Sequence, residues 1–168
     1  MRDTLDRSTL LEGEDATADR VLTELSNVSS VHFSCHGLQD AVEPSSSGLV
    51  LYDRIVTVRE ISERSSGGYL AFLSACDSAL GSFASADEIV SLVGALQYSG
   101  WTHVIGTFAP VEDDIAAHVS QQFYEKYKRT DRSGLGVIAK TLRAVILELR
   151  RANPTRPSIW SPFVHFGP

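Results

Sequence analysis

The sequence contains no hydrophobic run that is long enough to span a membrane. Crossing the hydrocarbon core of a bilayer takes roughly 18 apolar residues in succession, and no stretch of this 168-residue chain approaches that length. Its first residues, Met1-Arg2-Asp3-Thr4, also lack the apolar segment of a signal peptide. We therefore expect no membrane association and a location in the cytoplasm.

Cysteine is scarce, with Cys35 and Cys76 as the two examples in the chain. Two cysteines are too few for a disulfide framework or a multi-cysteine zinc site, so both are read as free thiols. The histidines do not show the i, i+4 spacing on a helix that is typical of zinc ligands. We expect neither a metal nor an organic cofactor.

Positive charge is in the minority. The 15 Lys and Arg residues face 21 Asp and Glu residues, which gives a formal net charge of -6. Binding to a phosphate backbone needs a basic face, so the balance argues against a nucleic-acid partner and favours a basic one. Nucleotide binding is a weaker alternative, because no glycine-rich phosphate loop follows a predicted strand.

What the sequence does contain is an alternation of helical and strand patterns. Hydrophobic residues make up 43% of the chain and charged residues 21%, as in one folded domain over residues 1–168. Strands are predicted near residues 31–35, 49–52, 69–73, 102–108 and 163–166, with helices between most of them. Thr57-x-x-Glu60 and Ser85-x-x-Glu88 have the form of capping boxes that begin helices. The pattern predicts an α/β fold whose mainly parallel sheet is covered on both faces.

Reactive side chains follow two of these strands. His36-Gly37 stands at the end of one strand and Cys76-Asp77 at the end of another, and parallel strands end at the same edge, where ligands bind. A cysteine nucleophile needs a proton donor or base within reach and backbone N–H groups for the oxyanion, where glycine fits well. Spacing alone leaves packing open as an alternative, because buried cysteines are often small core residues.

Other candidates have simpler interpretations. Cys35 falls inside a predicted strand, which favours a packed thiol. The three histidines within strand patterns are interpreted as satisfied core or surface residues, namely His32, His103 and His165. The acidic run Glu112-Asp113-Asp114 begins a helix, where negative charge is favourable, although it also follows a strand end beside the candidate site.

Several short motifs follow one another along the chain, namely His32-Phe33-Ser34-Cys35-His36-Gly37, Leu73-Ser74-Ala75-Cys76-Asp77-Ser78, Asp87-Glu88, Gly94-Ala95, Gly106-Thr107, Pro110-Val111-Glu112-Asp113 and Trp160-Ser161-Pro162-Phe163-Val164. Together they resemble the CHAT domain, a family grouped with the caspase-like cysteine peptidases that include separase. The resemblance extends from about Glu14 to the end of the chain. It implies a three-layer αβα caspase-like fold.

The resemblance also implies an activity. Cys76 matches the family's nucleophile, His36 its catalytic histidine, and Gly37 with the backbone N–H of Cys76 its oxyanion site. The chain would then be a cysteine endopeptidase acting on a protein or peptide substrate. The alternative is a catalytically silent CHAT-like module for interaction or signalling, in which the dyad survives but the pocket is closed or unused.

Two further expectations concern partners and substrate. CHAT domains normally have another N-terminal βα portion, often preceded by repeats, whereas the first predicted strand here already carries the histidine. We therefore expect a domain that lacks this portion and is regulated by a repeat domain or completed by a partner chain. Asp77 and Asp113 are candidate substrate-binding residues that would favour Lys or Arg on the acyl side of the cut.

Overall fold

The computed structural model describes residues 8–38, 46–74, 85–131 and 136–168, with the backbone alone for residues 85–91. A 3₁₀ turn at Gly13–Asp15 precedes the regular elements. In chain order these are α1 (Ala18–Leu25), β1 (Ser30–Phe33), β2 (Gly37–Leu38), β3 (Gly48–Val50), β4 (Ile55–Thr57), α2 (Val58–Arg64), β5 (Gly68–Leu73), α3 (Ser85–Tyr98), β6 (Trp101–Thr107), α4 (Asp113–Arg129), α5 (Val137–Ala152), α6 (Pro157–Trp160) and β7 (Phe163–Phe166).

A four-stranded sheet in the order β1-β5-β6-β7 forms the centre of the molecule. β1, β5 and β6 run parallel, and β7 pairs with β6 in the opposite direction. In register, Phe33 pairs with Leu73 at the ends of β1 and β5, and Thr107 pairs with Phe163. The predicted α/β fold with a mainly parallel sheet is confirmed.

Helices cover both faces of this sheet and enclose two apolar cores. Side chains alternate between the faces of a strand, so Val104 joins one core and Ile105 the other. Helices α1, α2 and α3 supply Leu22, Ile61 and Leu96 to the first core, and α4 and α5 supply Phe123 and Ile138 to the second. The result is the three-layer αβα arrangement expected from the sequence.

Each core also contains one tryptophan. Trp101 is 2% exposed, and its indole N–H donates to the Ser65 hydroxyl at 2.8 Å. Trp160 is partly buried against the second core, and its N–H donates to the Asn153 carbonyl at 3.1 Å. The Trp101 ring lies so close to Gly68 that an added Cβ would fall 2.6 Å from it, which explains the glycine at the start of β5.

A second, antiparallel sheet consists of β2, β3 and β4. The strand predicted near residues 49–52 is β3, and it lies in this sheet rather than in the central one. Gly48 is required where β3 meets β4, because a Cβ there would fall 2.1 Å from the Val56 carbonyl oxygen. The small sheet directly follows the segment that carries His36.

A local signal predicted the start of α2 correctly. The backbone N–H of Glu60 donates to the Thr57 hydroxyl at 3.2 Å, and the Thr57 N–H donates back to the Glu60 carboxylate at 3.0 Å. This is the predicted capping box at the start of α2. α3 spans Ser85–Tyr98, but the side chains of Ser85 and Glu88 lie outside what the structure describes, and the second motif stays a prediction. Among the described helices, none combines the length and the hydropathy that a bilayer span would need.

Candidate functional site

His36 and Gly37 lie just beyond the carboxyl end of β1. His36 is exposed, and its backbone carbonyl accepts a hydrogen bond from the Val50 N–H at 2.8 Å. Gly37 opens β2, opposite Leu49 of β3. The small sheet therefore fixes the backbone at His36 and leaves its side chain in solvent.

Among the described residues, no neighbour of Gly37 demands a glycine there. A Cβ at this position would meet its nearest atom, the Gly48 carbonyl oxygen, at 3.9 Å, and Gly37 is not among the glycines with positive φ. Antiparallel pairs alternate between hydrogen-bonded and non-hydrogen-bonded positions. Because Val50 and His36 are hydrogen-bonded, the next pair, Gly37 and Leu49, is not. The Gly37 N–H consequently points away from β3 and can serve as a donor to another group.

The chain leaves β5 directly beside the end of β1. The N–H of Ser74 donates to the Phe33 carbonyl at 2.8 Å, which ties the two strand ends together. Cys76 follows Ser74 by two residues in the sequence, and Cys76 and Asp77 both lie outside the described residues. The segments that carry His36 and Cys76 thus start from neighbouring points on the same sheet edge.

His32 adds a second link between these strands. Its imidazole Nε2 lies 2.9 Å from the Ser74 hydroxyl, and its ring stacks on Phe72 with centroids 4.9 Å apart. Burial lowers the pKa of His32 to about 4, so the ring is neutral near pH 7. Its Nδ1 is buried without a hydrogen-bond partner among the described residues. The sequence analysis assigned His32 to packing and missed its contact with Ser74. A histidine within a strand pattern does not indicate which side chain it will contact.

Cys35 has the properties expected of a packed thiol. Its side chain is partly buried against the first core, and burial raises the pKa of the thiol to about 11. The thiolate is the reactive form of cysteine, and almost none is present at neutral pH with such a pKa. The thiol is packed, as expected, but the prediction that Cys35 lies inside a strand is wrong, because β1 already ends at Phe33.

The acidic run lies at the same edge of the sheet but farther along it. Glu112, Asp113 and Asp114 are exposed at the start of α4, beyond the end of β6. Since the sheet order is β1-β5-β6, β5 separates this run from the strand that leads to His36. The Asp114 carboxylate accepts a hydrogen bond from the Ile115 N–H at 2.8 Å. No described contact joins Asp113 to His36.

Two other histidines meet at the opposite end of the sheet. His103 Nδ1 and His165 Nε2 are 3.0 Å apart across β6 and β7, and His103 contacts the edge of the Tyr69 ring. Burial lowers the pKa of both, which favours a neutral pair sharing one hydrogen bond. Over the described residues, no group of three or more His, Cys, Asp or Glu side chains is placed to hold a metal ion.

Comparison with known proteins gives one result at the level of the family. The family model described as the CHAT domain matches residues 2–168, nearly the whole chain. No curated protein matches the sequence.

Proposed function

The chain belongs to the CHAT domain family, a group related to caspase-like peptidases, and from this membership we propose that it is a cysteine endopeptidase with Cys76 as nucleophile and His36 as its proton-transfer partner. One observation carries the proposal. The ends of β1 and β5 are held side by side by the Ser74–Phe33 hydrogen bond. The residues after these two strands include both members of the dyad.

The proposed reaction has two stages. The Cys76 thiolate attacks the scissile carbonyl carbon, forming a C–S bond while the oxygen becomes an oxyanion. The C–N bond then breaks, and His36 donates a proton to the leaving amine. Water next attacks the thioester, His36 accepts a proton from it, and the thiolate is released with the carboxylate product.

Gly37 supplies the oxyanion donor in this proposal. Its N–H points away from β3, and the missing side chain leaves room for a substrate carbonyl to approach. The backbone N–H of Cys76 would be the second donor. Preorganised N–H groups of this kind stabilise the developing charge. No metal or organic cofactor enters the mechanism.

An electrophilic peptide probe tests the assignment of the nucleophile. Labelling should disappear in Cys76→Ala and persist in Cys35→Ala, because the Cys35 thiol is packed and protonated. His36→Ala should lower the turnover of a peptide substrate by about 100-fold or more, the scale for loss of a general acid or base. Labelling that survives without Cys76, or cleavage at the original rate without His36, contradicts the dyad.

A silent interaction module is the second candidate, and an open sheet edge favours it. Within the described residues, β1 pairs on one side alone, with β5, so its outer edge can accept another strand. Specific labelling of Cys76 with no cleavage across a broad peptide library would support this function. Cleavage that depends on both Cys76 and His36 would exclude it.

The same edge suggests how a peptidase could be regulated. We propose that a partner chain or a repeat domain adds to β1 and raises a low basal activity, because His32 on this strand contacts Ser74 on the strand that leads to Cys76. Light scattering and peptide cleavage can compare this chain with one extended at its amino end. A monomer as active as the extended chain contradicts the proposal.

A further inference from the structure

The small antiparallel sheet has one buried face and one exposed face. Leu49 of β3 and Val56 of β4 are each 1% exposed and belong to the first core. Side chains alternate between the two faces of a strand, so Val50 and Ile55, their neighbours in the chain, lie on the opposite face. This outer face is the side of the small sheet that is turned away from the core.

His36 lies on the same outer face. Its carbonyl accepts the hydrogen bond from the Val50 N–H, which places His36 opposite Val50, and Val50 is in turn opposite Ile55 of β4. Directly opposite residues of an antiparallel pair share a face, with Cβ atoms about 5 Å apart. Leu38 also shares this face, because it follows His36 by two residues, and its cross-strand partner Gly48 has no side chain to cover it.

The outer face is apolar, although the exposed face of an antiparallel sheet normally carries polar side chains. Leu38 is 44% exposed and Val50 is 37% exposed. β2, β3 and β4 contain no Asp, Glu, Lys or Arg. Their one polar residue, Thr57, already uses its hydroxyl to cap α2. Single exposed apolar residues are common on proteins, but Leu38 and Val50 share one face with the proposed catalytic histidine.

The charged side chains nearest to this face in the chain are bound elsewhere. The turn between β3 and β4 contains Asp53 and Arg54. The Asp53 carboxylate accepts a hydrogen bond from the Ala18 N–H at 2.8 Å. The Arg54 guanidinium forms ion pairs with Glu60 at 2.8 Å and with Asp19 at 3.6 Å. These contacts hold both charges against α1 and α2, so the turn supplies no charged group to the outer face.

The chemistry of the proposed reaction determines which part of a substrate meets this face, and the inference rests on that proposed function. His36 donates a proton to the nitrogen of the leaving amine, so this nitrogen must come within hydrogen-bond reach of the imidazole. The same nitrogen is bonded to the Cα of the first residue on the amine side of the cut. The side chain of that residue is therefore held close to His36, where Val50 and Leu38 lie.

We propose that Leu38 and Val50 form a subsite for an apolar side chain, such as that of leucine, in the first residue on the amine side of the cut. Contact between the two apolar surfaces removes both from water, which is favourable. An amide or charged side chain would lose hydration there without gaining a partner from β2, β3 or β4. The contact is the same before and during the reaction, so it lowers KM and leaves kcat nearly unchanged.

Peptide binding to the Cys76→Ala variant tests the subsite without cleavage. Two labelled octapeptides have Arg before the scissile bond and either Leu or its near-isostere Asn after it. Fluorescence anisotropy should show about tenfold tighter binding of the Leu peptide. Adding Leu38→Asn and Val50→Thr, which keep the side-chain shapes but make them polar, should reduce this preference to about threefold or less. Leu10→Asn is the matched control, because Leu10 is also 44% exposed but lies before α1, and it should retain the preference.

Kinetics on the chain with Cys76 intact give a second measurement. The preference for the Leu peptide should appear in KM, with kcat changed by no more than about twofold in Leu38→Asn with Val50→Thr. Thermal unfolding checks that each variant is folded, and each substitution is also measured alone.

Three outcomes would overturn the subsite. They are equal binding of the two peptides, an equal loss of preference in Leu10→Asn, and a dimer in light scattering that Leu38→Asn with Val50→Thr dissociates, which would assign the outer face to a second copy of the chain. Tighter binding of the Leu peptide with no cleavage of either peptide would support the subsite and overturn the peptidase function alone. The two failures are therefore distinguishable.

Discussion

At the residue scale, substitution of Gly37 can distinguish a functional role of this glycine from a structural one. Among the described residues, the nearest atom to a Cβ there would be 3.9 Å away, so Gly37→Ala should change the free energy of unfolding by no more than about 1 kcal/mol. It should nevertheless lower kcat by roughly 10- to 100-fold, because the methyl group displaces the substrate carbonyl from the donor N–H.

Gly48→Ala is the control for this prediction. Its Cβ would fall 2.1 Å from the Val56 carbonyl oxygen, so it should destabilise the protein by about 1–3 kcal/mol. Denaturant unfolding and peptide cleavage measured on both variants give the comparison. Unchanged kcat in Gly37→Ala would leave Gly37 without a part in the reaction.

His32 should make the stability of the protein depend on pH. Its pKa is about 4 in the folded state and near 6.5 when unfolded, so the unfolded state binds more protons between these values. The free energy of unfolding should be constant above about pH 6.5 and fall by up to about 3 kcal/mol toward pH 4 on account of His32. His32→Phe retains an aromatic ring against Phe72 and should flatten this slope.

Ser74→Ala provides the control, because it removes the hydrogen bond to His32 but keeps the buried imidazole. Its slope between pH 4 and 6.5 should remain steep. Urea unfolding at several pH values measures all three proteins. Equal slopes in wild type and His32→Phe would mean that folding does not lower the pKa of His32.

The residues of the site divide according to what a sequence can reveal. The strand predicted to contain Cys35 ends at Phe33, so its packed thiol depends on the turn after β1, whereas the neighbouring positions of the two strand ends follow from parallel pairing. The contact between His32 and Ser74 depends on side-chain direction and on the register of β1 against β5, neither of which a strand pattern specifies. The roles of Cys76, His36, Gly37, Asp77 and Asp113 stay predictions.

At the scale of elements, the two threonine N-caps offer a paired test. The Thr57 hydroxyl caps α2 through the Glu60 N–H, whereas Thr17, the N-cap of α1, makes no side-chain capping bond. Thr57→Ala should therefore lower the free energy of unfolding by about 1 kcal/mol, and Thr17→Ala by clearly less. Chemical denaturation of both variants measures the difference, and similar losses would contradict it.

Strong local patterns predicted most of the elements. Very short strands and the direction of strand pairing were not predicted. β5, β6 and β7 contain enough β-branched and aromatic residues to be recognised. β2 and β4 have two and three residues, too few for a period of two to emerge. The direction of β7 was also not predicted, because an antiparallel edge strand after a helix has the same local pattern as a parallel one.

At the scale of the whole molecule, the acidity of residues 1–124, which contain 18 Asp and Glu but 6 Lys and Arg, predicts a preference in the substrate. Asp77 follows the proposed nucleophile, and Asp113 lies exposed beyond the end of β6. A Lys or Arg on the acyl side of the cut would gain a charge-assisted contact there. A peptide library varied at this position should show a preference for Lys or Arg.

Variants that each remove a single carboxylate locate the source of that preference. It should weaken by about tenfold in Asp77→Asn or Asp113→Asn and persist in Glu63→Gln, which removes an exposed carboxylate of α2. Selection of Asp, or of apolar residues irrespective of these substitutions, would show that local acidity does not determine specificity.

Net charge was a poor guide to the surface of this protein. A value of -6 argues against anionic partners when charge is assumed to be evenly spread. The fold gathers the basic residues of α5 on one face, opposite its buried side. Counting charge segment by segment along the sequence would have revealed the acidic and basic parts of the chain. The structure was needed to show that the basic residues of α5 share one face of the helix.

The two tryptophans give each core its own spectroscopic reporter. Trp101 is enclosed beside Gly68 and should emit at short wavelength, whereas Trp160 lies partly in solvent under Arg150 and should emit farther to the red. In Trp160→Phe the remaining fluorescence follows the layer formed by α1, α2 and α3, and in Trp101→Phe it follows the layer formed by α4 and α5. Because both layers share one sheet, the two signals should change at the same denaturant concentration. Separate transitions would reveal that one layer can melt while the other still holds the sheet.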